Sequence, residues 1–127
     1  MPFTTELDIQ LIDEDKLWKL NSPLVYQSDK NGIITVPPGF ITDLASVPRI
    51  PFVYDKWGNR AHREAVLHDY LYCYDSIPVV DFGVANALFL EAMKSRGVKE
   101  DIYLPMYEAV CCFGRKFFHQ RSVNDSI

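Results

Sequence analysis

The first third of the chain alternates between hydrophobic and polar positions, which is the pattern of half-buried strands. The apolar positions of "ELDIQLID" are Leu7, Ile9 and Leu11. A period of two places them on one face of a strand. The apolar runs "LWKL", "LVYQS" and "IITV" follow, and Asn31-Gly32 before the last run is a hairpin signal. Residues 1–36 are therefore predicted to form an antiparallel β-meander of three to four strands.

Residues 37–58 lose this alternation and carry many prolines. These are Pro37, Pro38, Pro48 and Pro51. Proline fixes φ and lacks an N–H, so it disfavours a long helix and a central strand. We predict a Pro-rich connector that crosses the end of the sheet.

Residues 59–119 have the spacing of three helices that pack together and on the sheet. Their predicted spans are 59 to about 72 or 74, 82 to about 95, and about 101 to 119. Asn59 and Asp81 are suitable N-caps, and Gly97 ends the second helix. Residues 120–127 are predicted to be a polar tail. Strands come first and helices follow, and no repeat, low-complexity tract or interdomain linker divides the chain. This order predicts a single α+β domain over residues 1–127.

Composition narrows the classes of partner and compartment. The formal charge is −4, which disfavours a nucleic-acid-binding surface. No apolar run is long enough for a membrane span, and the start "MPFTTELDIQ" lacks the features of a secretory signal. We therefore expect no nucleic acid or membrane partner, and no secretion by a signal peptide. The cysteines Cys73, Cys111 and Cys112 are expected to be buried thiols.

The first predicted helix contains a polar pair in an apolar setting. Its second half is apolar nearly all round except for His68 and Asp69, which indicates burial. A buried carboxylate needs a partner, and we expect the connector to supply it. The candidate partners are Thr42, Asp43, Ser46 and Arg49. Asn86 interrupts the apolar stripe of the second helix, so we expect His68, Asp69 and Asn86 to form one buried polar cluster.

Two interpretations of this cluster remain open. In the first, it is a hydrogen-bond network that ties the connector to the helices. In the second, it is a catalytic pocket, whose candidate residues are Asp43, Ser46, His68 and Asp69. Asp43, His68 and Asp69 could then bind a divalent metal or act as acid and base, with Ser46 nearby. The cofactor is thus unknown, and no cofactor is the preferred expectation over a divalent metal ion.

Four blocks of the chain resemble a family catalogued as domain of unknown function 1353, found in bacteriophages and prophages. The blocks are "VPPGFITDLASVPR", "AVLHDYLY", "ANALFLEAM" and "MYEAVCCFG". The resemblance implies a phage-derived protein in a bacterial host, without implying an activity. Its signature positions match Asp43, Ser46, His68, Asp69 and Tyr72.

The chain departs from the pattern of that family at three positions. Phe82 and Cys111 stand where an arginine is common, and Asn86 replaces an aspartate. Since an amide cannot act as a base, these departures favour a role without catalysis.

We therefore expect a small phage accessory or virion-associated protein of the tail, baseplate or head. It would act by binding a phage or host protein, in the host cytoplasm or in the assembled particle. The alternatives are a metal-assisted hydrolase that uses Asp43, His68 and Asp69, and an inhibitor of a host defence protein.

Overall fold

A computed structural model describes residues 3–13, 17–42 and 62–124 of the chain. Strands come first and helices follow, which confirms the predicted α+β class. The strands are β1 (Ile9–Asp13), β2 (Leu17–Leu20), β3 (Leu24–Ser28), β4 (Gly32–Val36) and β5 (Ile41–Thr42). The helices are α1 (His62–Leu71), α2 (Phe82–Ser95) and α3 (Glu100–Phe113), and one 3-10 turn follows at Arg115–Phe117.

The strands form two small antiparallel sheets. One has the order β1-β2-β5 and the other pairs β3 with β4. Strand β5 falls within the segment predicted as connector and pairs with β2 through Trp18 and Thr42. A turn at residues 37–39 brings it there, where Gly39 has a φ of 89° and its N–H donates to the Leu20 carbonyl. Strand β5 contains no proline and lies at the edge of its sheet, so it does not conflict with the rule that proline disfavours central strands.

The β3-β4 hairpin confirms the turn signal in the sequence. Ser28 pairs with Gly32, and Gly32 has a φ of 76°, a conformation that glycine adopts without strain. Tyr26 and Ile34 form a buried cross-strand pair, whereas Gln27 and Ile33 face outward. The hairpin therefore has one core face and one exposed face.

The core lies between this hairpin and the helices. Helix α1 packs on β3 and β4, and α2 packs against α1. The buried side chains of this layer include Leu24, Tyr26, Ile34, Val66, Leu67, Leu71 and Leu88. A second cluster lies between α2 and α3 and contains Phe89, Met93, Met106, Ala109 and Val110. Helix α1 is thus surrounded by apolar side chains along most of its length.

Helix α2 has the bounds that the sequence predicts. The Asp81 carboxylate accepts a hydrogen bond of 2.8 Å from the Val84 N–H, which is an N-cap. Gly97 follows the helix with a φ of 77°, as expected of a C-terminal glycine.

Helix α3 ends at Phe113, so its predicted end at 119 is wrong. The next residue, Gly114, lies very close to Tyr72, because an added Cβ there would lie 2.4 Å from the Tyr72 hydroxyl oxygen. The backbone there passes directly against a side chain of the segment that follows α1. A 3-10 turn at Arg115–Phe117 stands in place of the last predicted helical turns.

The segment that follows the 3-10 turn packs on the end of α1. The His119 N–H donates to the Tyr72 carbonyl over 2.7 Å, and the Tyr74 N–H donates to the Arg121 carbonyl over 3.1 Å. The Asp75 carboxylate accepts hydrogen bonds from the Ser122 hydroxyl and the Val123 N–H. The described part of the predicted polar tail is thus bound to the folded domain.

Candidate polar site

His68 lies at the centre of a polar cluster between α1 and α2. Its imidazole is 1% exposed and its Nε2 is 2.8 Å from the Asn86 amide oxygen. The Tyr72 hydroxyl donates to the same oxygen, also over 2.8 Å. Tyr72 follows directly after α1, and its N–H still donates to the His68 carbonyl over a distance of 3.0 Å. The two side chains, four residues apart, therefore lie near each other and reach a single residue of α2.

The hydrogen bonds determine the state of the imidazole. An amide oxygen only accepts, so His68 Nε2 carries the proton and Nδ1 is left as a bare acceptor. Nδ1 has no hydrogen-bond partner among the described residues. Burial lowers the pKa of His68 to about 4, against the effect of the Asn86 hydrogen bond, which raises it. The ring is therefore neutral at neutral pH.

Aromatic rings enclose the imidazole. The ring centroids of Tyr72 and Phe89 are 4.1 Å and 4.6 Å from that of His68. Burial also raises the pKa of Tyr72, so its hydroxyl stays protonated and remains a donor. The cluster is a desolvated group of neutral dipoles with little room for a charge.

The cluster extends towards the surface at Cys111. The Asn86 amide nitrogen is 3.8 Å from the Cys111 sulfur, which lies on α3. Cys111 and Cys112 are exposed and only Cys73 is buried, so the expectation of buried thiols is wrong for two of the three. Cys111 is thus exposed at the border of the contact between α2 and α3.

Asp69 points away from this cluster. Its carboxylate is 3.4 Å from Arg121 Nη1, and its side chain is partly exposed. The guanidinium group of Arg121 also lies over the Phe40 ring, 4.8 Å from the centroid. The C-terminal segment thus supplies one partner of Asp69. The sequence had predicted a partner from the connector.

The remaining predicted site residues divide into two groups. Thr42 is fully buried at the end of β5. Asp43, Ser46 and Arg49 lie outside the described residues, so the predicted pocket of Asp43, Ser46, His68 and Asp69 stays a prediction. Within the described ranges, no group of three His, Cys, Asp or Glu side chains is placed to bind a metal ion.

Sequence reasoning missed a buried ion pair beside the cluster. Glu64 is fully buried on α1, and its carboxylate oxygens lie 3.0 Å and 3.2 Å from Arg96 Nη1 at the end of α2. Burial raises the pKa of Glu64, and the Arg96 charge opposes that shift. The burial of Glu64 could have been predicted from the sequence. Glu64 lies three residues before Leu67 and seven before Leu71, so the three share one face of the helix.

Comparisons with known proteins give a family and no activity. A family model described as "Protein of unknown function (DUF1353)" matches residues 18–110. No curated protein and no solved structure gives a significant match. In the part of the chain that is described, no helix is both long and apolar enough to cross a membrane.

Proposed function

The chain belongs to the DUF1353 family of proteins of unknown function, and from that membership we propose that it is a small phage-encoded protein that acts by binding. It serves as a virion component of the tail, baseplate or head, or as an accessory factor, and its partner is a phage or host protein. The phage origin rests on the resemblance of the four sequence blocks described above. The binding role rests on the polar site.

The observation that carries the proposal is the state of His68. A histidine that acts as a base or metal ligand needs a free nitrogen that a substrate or ion can reach. The His68 imidazole is sealed between two helices, and its Nε2 proton is held by Asn86. Such a group supports the packing of α1 on α2. It is poorly placed for chemistry.

The geometry gives less support to a hydrolase. His68 and Asp69 are the two candidate ligands that are described, and their side chains have different partners, Asn86 and Arg121. The carboxylate of Asp69 is already paired with a cation. If hydrolysis were the function, His68→Gln would abolish it; we expect this variant to retain partner binding at temperatures where it is folded.

Exposed apolar side chains near the C-terminal segment provide a candidate binding surface. Tyr74, Ile77 and Val79 lie between α1 and α2, and they are 52%, 78% and 61% exposed. Apolar and aromatic side chains are typical of the buried centre of protein interfaces. Apolar groups this exposed between two helices contribute little to the core and are available to a partner.

The experiment is a comparison of purified particles from a phage that encodes this chain. We expect quantitative mass spectrometry to find the wild-type protein in the particles at a fixed copy number. Ile77→Asp should abolish incorporation, because it places a charge in the apolar surface. The matched control is Ile12→Asp, which changes another exposed isoleucine on β1 and should be incorporated normally.

Two results would count against parts of the proposal. Absence of the wild-type protein from intact particles would remove the virion role and leave the accessory role. A hydrolytic activity of the purified protein that His68→Gln abolishes without unfolding it would contradict the binding role altogether.

A further inference from the structure

The outer edge of β4 is an unused row of backbone hydrogen-bonding groups. Val25 lies opposite Thr35 in the hairpin. The backbone N–H and C=O of Val25 nevertheless point away from β4 and bond to residues 4 and 5. Its carbonyl accepts a hydrogen bond from the Thr4 N–H, and its N–H donates to the Thr5 hydroxyl. Each of these bonds is 3.0 Å long. Val25 and Thr35 are therefore a non-hydrogen-bonded pair, and the N–H and C=O of Thr35 point away from β3.

The same alternation applies to Ile33, two residues earlier. In an antiparallel pair the bonded and non-bonded positions alternate, so Ile33 also directs its N–H and C=O outward. No hydrogen bond reaches these four groups from the described residues. The Ile33 side chain is 67% exposed and that of Thr35 is exposed as well.

Within the described ranges, this edge lacks the features that normally keep a strand from pairing with another chain. Strand β4 reads "GIITV", with no charged residue and no proline within it. Native proteins protect such edges with lysine, proline, a bulge or a covering segment. The other edge of the hairpin is covered, because residues 3–5 pair along β3.

We propose that β4 pairs antiparallel with β4 of a second copy of this chain, about a two-fold axis through Ile34. In this register Ile33 of each copy lies opposite Thr35 of the other copy, which gives two such pairs. Each copy then contributes two outward N–H and two outward C=O groups, and all of them find partners. The two hairpins become one four-stranded sheet.

Side chains and charge favour a second copy as the occupant. The two Ile33 side chains become diagonal neighbours on the exposed face, within contact distance of each other. Strand β4 itself carries no charged residue, so no like charges meet within the paired strands despite the net charge of −4. Pairing ends at Pro37 because proline has no N–H to donate.

The test is sedimentation equilibrium over a range of concentrations, with amide exchange measured by NMR on the same samples. We expect the wild type to dimerise as concentration rises. The amides of Ile33 and Thr35 should gain protection in parallel with the dimer fraction. The amide of Ile34, which bonds to β3, should be protected throughout.

Two variants and one control separate this interface from others. Ile33→Lys places a charge at the edge and should give a monomer with a melting temperature close to wild type. Thr35→Pro removes an outward donor and no bond to β3, so it should also give a folded monomer. It replaces Ile33→Lys as the test if that variant folds poorly. Gln27→Lys adds the same charge to the same exposed face, on the inner strand β3, and should still dimerise.

Three results would overturn the proposal. The first is a wild type that stays monomeric at NMR concentrations. The second is a dimer in which the Ile33 and Thr35 amides still exchange rapidly, since it must use another surface. The third is protection of these amides only on addition of a different protein, which would assign the edge to a foreign strand.

Discussion

At the scale of single residues, His68 links the packing of the helices to pH. Its folded pKa of about 4 lies below the ordinary value of about 6.5 for an unfolded chain. Between these values the unfolded state binds a proton that the folded state does not. The free energy of unfolding therefore falls as pH decreases through this window, by about 1.4 kcal/mol per pH unit at most.

This dependence can be measured with urea denaturation at pH 7, 6 and 5. We expect the wild type to lose stability across the series. His68→Gln has no titrating group, and its amide nitrogen can still donate to Asn86, so its stability should change much less over the same range. An equal pH dependence in both proteins would show that other groups cause the loss.

A second prediction at this scale concerns the buried Glu64–Arg96 pair. Arg96→Ala leaves a fully buried carboxylate without its cation, and breaking such a pair costs about 3 to 5 kcal/mol. We expect about 3 kcal/mol here, because the Arg96 side chain is 34% exposed and water can partly replace it. Chemical denaturation gives the value directly.

The chain offers a matched control for Arg96→Ala in a second arginine–glutamate pair. Arg63 pairs with Glu6, whose side chain is 92% exposed. Exposed pairs contribute about 0 to 1 kcal/mol, so Arg63→Ala should be nearly neutral. Equal losses in the two variants would mean that burial of Glu64 does not set the strength of its pair.

At the scale of elements, the residue that follows α3 packs closely against the segment after α1. A Cβ at Gly114 would meet the Tyr72 hydroxyl at 2.4 Å and the Val110 carbonyl at 2.5 Å. We expect Gly114→Ala to cost about 1 to 3 kcal/mol, the usual range for overpacking. Gly83→Ala is the control, because its Cβ meets nothing closer than 3.6 Å and alanine favours the helix. Thermal melts that rank the two variants in the opposite order would contradict this explanation.

The elements also show which parts of the fold the sequence could predict. The start of α2 was predictable because Asp81 and the Val84 N–H are close in the chain, and caps are local. The burial of His68 and Asn86 followed from helical periodicity. The close approach of Gly114 to Tyr72, and the ion pair of Asp69 with Arg121, were not predicted. Neither contact has a signature in local sequence, because both join segments that only the completed fold brings together.

At the scale of the whole molecule, the C-terminal segment connects the parts of the fold that carry the polar residues. Arg121 pairs with Asp69 of α1 and lies over Phe40, which precedes β5. Phe118 packs on Tyr72 and Phe82 through ring contacts at 5.2 Å and 5.6 Å. The segment thus contacts the residue before β5, two helices and the loop between those helices. Its removal should therefore destabilise more of the domain than the segment itself.

Deletion of residues 119–127 tests this role. It removes the His119 and Arg121 backbone bonds and both bonds to Asp75. At about 1 kcal/mol per bond, we expect the free energy of unfolding to fall by at most about 4 kcal/mol. The Tyr74 amide should lose protection from hydrogen exchange, whereas that of Leu88 in α2 should keep most of it. Deletion of residues 125–127 alone removes none of these contacts and should leave both amides unchanged. If the longer deletion had no more effect than the shorter one, the segment would not stabilise the domain.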